Sequence, residues 1–331
     1  MITEEVNKKY VYSSGAIDDP RLGNLLRIAP SFENEKSINE FLQKENPSTV
    51  FFGYPDDHGI KINNGRVGAA LGPDHVRSLL YKMSPALNFS APTSLLDLGN
   101  LAVNKIPFEK RHATGSEIAL MALRQKHRWM GVGGGHDYGF SEGRALIEFS
   151  KAKKKGKPLI INFDAHLDVR STDQGFNSGT PFYRLLHDYK NEFDFAEIAV
   201  QPQCNSQKHL DWVRSQGAKV ILLEEIMDSD RPLDIYIKSV LDSWISQERL
   251  TYLSIDIDAF SSSVAMGASQ SWPTGLLPHQ FFNTFRDLID ILDVRVLGVY
   301  EVSPPLDSCE LTSKLAAQII HQFIYGKKFD K

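Results

Sequence analysis

A chain of 331 residues, 42% hydrophobic and 24% charged, has ordinary globular composition and the length to bury a large core. Its net charge of -4 gives no general attraction to nucleic acid or anionic membrane, and no apolar run is long enough to span a bilayer. No nucleic-acid or membrane partner is expected. The first residues, MITEEVNKKYVYSSG, lack the basic head and apolar run of a signal peptide, so a cytoplasmic protein is expected. The two cysteines, Cys204 and Cys309, lie far apart outside any C-x-x-C pattern, which argues against a disulfide framework and a thiolate zinc site.

Residues 1–48 are polar and weakly periodic, with a turn at Asp18-Asp19-Pro20. They read as an N-terminal arm with a short helix. From residue 49, short apolar or β-branched runs predict strands at 50–53, 95–98, 129–132, 159–163, 197–200, 219–223, 251–257 and 295–300. Helical spacing at 74–82, 115–126, 141–154, 207–216, 233–246, 279–292 and 310–325 fills most of the gaps. This alternation predicts an α/β fold, a parallel sheet of about eight strands covered on both faces. Near-continuous runs such as Leu159-Ile160-Ile161 fit strands buried on both sides. The basic run at 151–157 closes an amphipathic helix, where the helix dipole favours cations, and reads as a solvated helix end.

In open parallel sheets, ligands bind beyond the carboxyl ends of the strands. Four of these ends carry unusual chemistry. The strand at 129–132 runs into Gly133-Gly134-Gly135-His136. A glycine turn presenting His136 fits better than a phosphate loop, because the Lys-Ser/Thr ending and the dinucleotide spacing are missing. The strand at 159–163 runs into Asp164-Ala165-His166-Leu167-Asp168, and alternate residues of an extended chain share a face. Buried carboxylates side by side are costly without a counter-charge, which a divalent cation supplies. The strand at 251–257 repeats the device with Asp256-Ile257-Asp258, and the last strand delivers Glu301 shortly before Pro304-Pro305. Carboxylate and imidazole donors without thiols suit Mn, Fe, Co, Ni or Zn, and the oxygen-rich set favours Mn²⁺. So many donors exceed the need of one ion. They predict a pair, which lowers the pKa of a shared water and makes a hydrolase the expected activity. His58 reads as structural or as part of a substrate rim. His187, His209 and His279 fall on helical segments and read as surface or capping residues.

Together, Gly-Gly-Gly-His136-Asp, Asp164-Ala-His166-Leu-Asp168, Ser254-Ile-Asp256-Ile-Asp258 and Glu301-Val-Ser-Pro resemble the signature segments of the ureohydrolases, the superfamily of arginase, agmatinase and formimidoylglutamase. The resemblance covers about residues 49–325. It implies a three-layer α/β/α fold, a catalytic domain over 49–331 and two Mn²⁺ ions. One ion would be held by His136, Asp164, Asp168 and Asp256, the other by Asp164, His166, Asp256 and Asp258, with Asp164 and Asp256 bridging. Asp168 would also relay a proton, and Glu301 would bind the amidine or guanidinium nitrogens. Where arginases carry a proton-shuttling histidine in His-Gly-x-Pro, this chain has Ser178 in Asn177-Ser178-Gly179-Thr180-Pro181, and Arg170 replaces an asparagine. These segments, with Asn64-Gly65-Arg66-Val67-Gly68-Ala69, look more like formimidoylglutamases. Arginine is a bidentate partner for carboxylates, so Arg170 and Arg66 would suit N-formimino-L-glutamate, whose cleavage gives L-glutamate and formamide in histidine breakdown. The alternatives are a guanidino-compound hydrolase releasing urea and a catalytically silent metal-binding relative. Family members commonly form trimers or hexamers, and the resemblance implies a homo-oligomer.

Overall fold

The structure, a computed structural model, describes residues 1–86, 94–246 and 248–326. One sheet gathers β1 (Thr3–Glu4), β2 (Leu26–Ile28), β3 (Thr49–Tyr54), β4 (Leu95–Leu101), β5 (Arg128–Gly133), β6 (Leu159–Phe163), β7 (Asp194–Val200), β8 (Lys219–Leu222), β9 (Leu250–Asp256) and β10 (Asp293–Tyr300). The order is β1-β4-β3-β5-β10-β9-β6-β7-β8, with β2 also beside β4. The eight predicted strands correspond to β3 through β10, and all pair in parallel. The other two come from the first 48 residues. β2 runs parallel to the start of β4, Leu26 opposite Leu95, and β1 runs antiparallel to its end, Thr3 opposite Leu101.

The helices are α1 (Leu22–Leu25), α2 (Glu35–Leu42), α3 (His58–Ile62), α4 (Gly72–Leu80), α5 (Phe108–Arg124) and α6 (Gly139–Lys153). They continue as α7 (Pro181–Asp188), α8 (Gln207–Ser215), α9 (Leu223–Met227), α10 (Leu233–Leu241), α11 (Pro278–Ile291) and α12 (Leu311–Tyr325). Successive strand residues point to opposite faces, so β3 sends Val50 and Phe52 into one apolar layer and Phe51 into the other. α2, α5, α6, α7 and α8 cover the first face, and α4, α10, α11 and α12 the second. Three layers result, and burial on both faces explains why the strands read as unbroken apolar runs. The sequence pattern missed α7. It is only eight residues long, begins with Pro181 and shows just one stripe, Phe182, Leu185 and Leu186.

The arrangement gathers the four unusual strand ends. β5, β10, β9 and β6 are consecutive at the centre of the sheet, in register through Val132–Val299, Val299–Ile255 and Ile255–Phe163. After β5 the chain returns as β6 three places away, with β10 and β9 filling the gap. The crevice beyond such a switch in strand order is where this class of sheet binds ligands. Among the described residues, no helix is long and apolar enough to cross a membrane.

Candidate metal centre

Gly134 decides how His136 is delivered. A Cβ there would lie 1.7 Å from the carbonyl oxygen of Asp56 and 2.8 Å from that of Tyr54, so only glycine lets the turn after β5 close on β3. The amides of Gly134 and Gly135 donate to those same two carbonyls, those of Tyr54 and Asp56 respectively. His136 then opens a short 3₁₀ turn ahead of α6 with its side chain buried.

The acids converge by turns, and the alternation expected of extended chain does not hold. β6 stops at Phe163, and Asp168 has a left-handed backbone with φ of 48°. β9 stops at Asp256, whose Oδ1 accepts the Asp258 amide at 2.8 Å as the chain enters a 3₁₀ turn. The Asp164 Oδ1 likewise accepts the His166 amide at 2.7 Å. Pleating would have directed the side chains perpendicular to the sheet, whereas these self-capped turns aim them over its edge. Glu301 also has a positive φ, 64°. Backbone held in this sparsely populated region by surrounding bonds recurs at functional sites.

The result is a cage. The Nδ1 of His136 lies 3.0 Å from Asp164 Oδ2, 3.0 Å from Asp168 Oδ2 and 3.2 Å from Asp256 Oδ2. The Nδ1 of His166 lies 3.4 Å from Asp164 Oδ1 and 3.2 Å from Asp258 Oδ2. Two ligand groups follow, His136/Asp164/Asp168/Asp256 and Asp164/His166/Asp258, and Asp164 is common to both. Asp256 joins the first group alone.

The donor set fits cations. The Nε2 of His136 is bonded to Ser254 Oγ at 2.9 Å, while its Nδ1 is buried without a hydrogen-bond partner amid three carboxylate oxygens. Donors about 3 Å apart are spaced as neighbours around an ion bonded at about 2.1 Å. Electrostatics agree. Burial pushes Asp168 and Asp258 up to about 6 and raises Asp256 well above the usual carboxylate range. Burial also opposes ionisation of Asp164, but the His136 and His166 imidazoles outweigh it and hold that carboxyl low. Crowded in this way, Asp168, Asp256 and Asp258 hold protons more readily than free carboxyls, and a divalent cation would supply the counter-charge instead.

A cavity of about 580 Å³ opens over the cage, with His166, Asp168, Asp256, Asp258 and Glu301 among its lining residues. Glu301 accepts the His136 amide on Oε1 at 3.2 Å, and its Oε2 is buried without a partner. Burial, then the charges of Asp256 and Asp258, raises its carboxyl well above the usual range, so a cation is the favoured neighbour. Arg170 and Ser178 also line the cavity, tied together by Asn63, which accepts from Arg170 Nη1 at 2.9 Å and donates to Ser178 Oγ at 3.0 Å. Arg66 is not among the lining residues. Its guanidinium donates to the carbonyl oxygens of Ser269 and Ala268 at 2.9 and 3.0 Å, and so holds the loop that carries Gln270 and Trp272 to the cavity.

The cavity also contains residues the sequence did not single out. His209, read as a surface or capping residue, lines it, because the start of α8 packs beside the His166 turn. Asn205 braces that turn, accepting the Leu167 amide and donating to the Ala165 carbonyl, both at 2.9 Å. A polar residue before a helical segment was the only signal. His187 is exposed beside Asp188, in accord with its reading, and His58 lies outside the cavity lining, its ring edge against Phe108.

Residues 47–326 match the Arginase family. A formimidoylglutamase of Legionella pneumophila (strain Paris) is 32% identical over 291 residues, 86% of this chain and 87% of that protein. One from Staphylococcus carnosus is 30% identical over 290 residues, 88% and 90% of the two chains. The crystal structure of Trypanosoma cruzi formiminoglutamase with Mn²⁺ superposes with a TM-score of 0.76 at 25% identity, covering 93% of this chain and 98% of that one. With its sheet order, its strand-end cage and this match over most of its length, the chain belongs to the arginase family.

Proposed function

We propose that this protein is a manganese-dependent hydrolase that cleaves the formimino C–N bond of N-formimino-L-glutamate, giving L-glutamate and formamide. The observation that carries the reading is the polarity of one cavity. A buried carboxylate oxygen of Glu301 lacks a partner at its floor, and the guanidinium of Arg170 stands at its exposed rim. A substrate with a cationic amidine at one end and carboxylates at the other matches that polarity, and the relatives named formimidoylglutamase support it.

His136, Asp164, Asp168 and Asp256 would hold one ion and Asp164, His166 and Asp258 a second. Bound there, a pair of divalent ions supplies Lewis acidity and a hydroxide nucleophile at neutral pH. The protein's own groups do the rest. Glu301 Oε2 accepts from the amidine N–H groups and orients the carbon toward the cage. Arg170 takes a substrate carboxylate through two parallel N–H donors, and Asn63 fixes the angle of its guanidinium. Asp168, with Oδ2 turned to His136, would take up on Oδ1 the proton given off by the attacking water and pass it to the nitrogen of glutamate as the C–N bond breaks.

The test is a substrate panel on the Mn-loaded protein: formiminoglutamate, arginine, agmatine and guanidinobutyrate. Formamide and glutamate from the first, with little turnover of the others, is the expected result. Preference for a guanidino compound, with urea as product, overturns the substrate assignment and leaves the metal centre standing.

A further inference from the structure

A chain of buried polar groups behind the cage plays no part in that reaction. Glu142, on α6, is fully buried and accepts three hydrogen bonds. Tyr54 OH and Trp129 Nε1 donate to its Oε1 at 2.7 and 3.0 Å, and Tyr300 OH donates to its Oε2 at 2.8 Å. The hydroxyls of Tyr300 and Tyr252 are 2.8 Å apart, and Tyr252 in turn interacts with the Ser254 hydroxyl. Ser254 Oγ then meets His136 Nε2 at 2.9 Å. Tyr252 and Ser254 are two residues apart on β9 and share a face, and the Tyr300 ring stacks on the His136 imidazole with centroids 4.8 Å apart.

With Glu142 ionised, the donors in this chain have one consistent direction. The indole of Trp129 can only donate, and three donors on two carboxylate oxygens leave Glu142 as the acceptor. Tyr300 gives its proton to Glu142, so its oxygen accepts from Tyr252. Tyr252 then accepts from Ser254, and Ser254 accepts from His136. The imidazole therefore carries its hydrogen on Nε2 and presents a lone pair at Nδ1, the atom that faces Asp164, Asp168 and Asp256.

We propose that Glu142, acting through Tyr300, Tyr252 and Ser254, fixes the ring of His136 in the Nε2–H form and is a positioning residue for the metal group that contains His136. This rests on the metal-centre reading above. Groups behind a metal-bound histidine that set its tautomer and orientation commonly change affinity by about 10- to 100-fold. The chain reaches His136, so its effect falls on one ion of the pair.

The experiment is a Mn²⁺ titration of the metal-free protein, with bound ions per chain read by electron paramagnetic resonance and calorimetry. Tyr300→Phe keeps the stacked ring and cuts the chain at Glu142, while Ser254→Ala cuts it at His136. Tyr54→Phe removes a Glu142 donor that lies outside the chain, and so controls for the loss of a buried hydrogen bond. Weakening of one site by about 10- to 100-fold in the first two variants, with the other site unchanged, is expected, and Tyr54→Phe should bind as wild type. Three outcomes overturn the proposal: Tyr300→Phe behaving like Tyr54→Phe, Ser254→Ala weakening both sites equally, or Ser254→Ala weakening neither. The smaller Ser254→Ala change keeps the test decisive if Tyr300→Phe fails to fold. Fewer than two ions on the wild-type protein would instead overturn the metal-centre reading on which the proposal stands.

Discussion

The backbone amide of His136 donates to the side chain of Glu301 across 3.2 Å, which joins the turn after β5 to the turn after β10. One carboxylate oxygen is spent on shaping the cage, and the other, Oε2, is left without a partner for a substrate cation. Glu301→Gln keeps an oxygen for the His136 amide and loses the charge. Metal content is expected to stay at the wild-type level while kcat/KM falls by about 10- to 100-fold, the worth of a hydrogen bond between charged groups. Loss of metal in this variant would mean that Glu301 serves the cage alone.

Asp164 belongs to both ligand groups, whereas Asp258 belongs to one. Asp164→Ala is therefore expected to abolish binding of both ions and lower activity by several orders of magnitude. Asp258→Ala should retain a single ion. Elemental analysis of dialysed protein distinguishes the two, and equal losses would contradict the shared role of Asp164.

The two arginines singled out from the sequence should behave differently. Arg170 lines the cavity, so Arg170→Ala is expected to raise KM for a dicarboxylate substrate by about 10- to 100-fold with a smaller change in kcat. Arg170→Lys should recover only part of this, because a point charge lacks the two-pronged donor. Arg66 instead grips the carbonyls of Ala268 and Ser269. Limited proteolysis near residues 268–272 should therefore accelerate in Arg66→Ala.

Burial, against three hydrogen bonds, pushes Glu142 from 4.5 up to about 7. A carboxyl whose pKa rises on folding binds its proton more tightly in the folded state. Its contribution to stability is full below about 4.5 and is lost as pH rises through about 7. Urea unfolding of the metal-free protein on either side of this interval should show stability falling with pH, and Glu142→Gln should show a shallower fall. An unchanged slope in the variant would place the titration elsewhere.

The sheet was legible in the sequence because β3 through β10 are covered on both faces and so carry unbroken apolar runs. The cage was legible because acids and histidines at the ends of such runs have no other reason to be there. What stayed hidden depends on long-range contact. β1 and β2 are strands only because β4 offers an edge, and their few, mixed residues show no period. His209 and Asn205 reach the cavity through the packing of α8, which no local pattern encodes. Glu142 left a trace that went unread, an acid on the same helical stripe as Ala145 and Leu146, where an apolar residue would be ordinary.

The outer side of β4 is shared, β2 pairing with its first half and β1 with its second. An uncovered β4 would present a fully buried-type strand, LLDLGNL, as a template for another chain. The first 28 residues thus cover an edge that would otherwise be open to pairing with another chain. A truncation removing them is expected to keep metal ligands and cavity yet to aggregate on concentration, which light scattering would detect as growth with time.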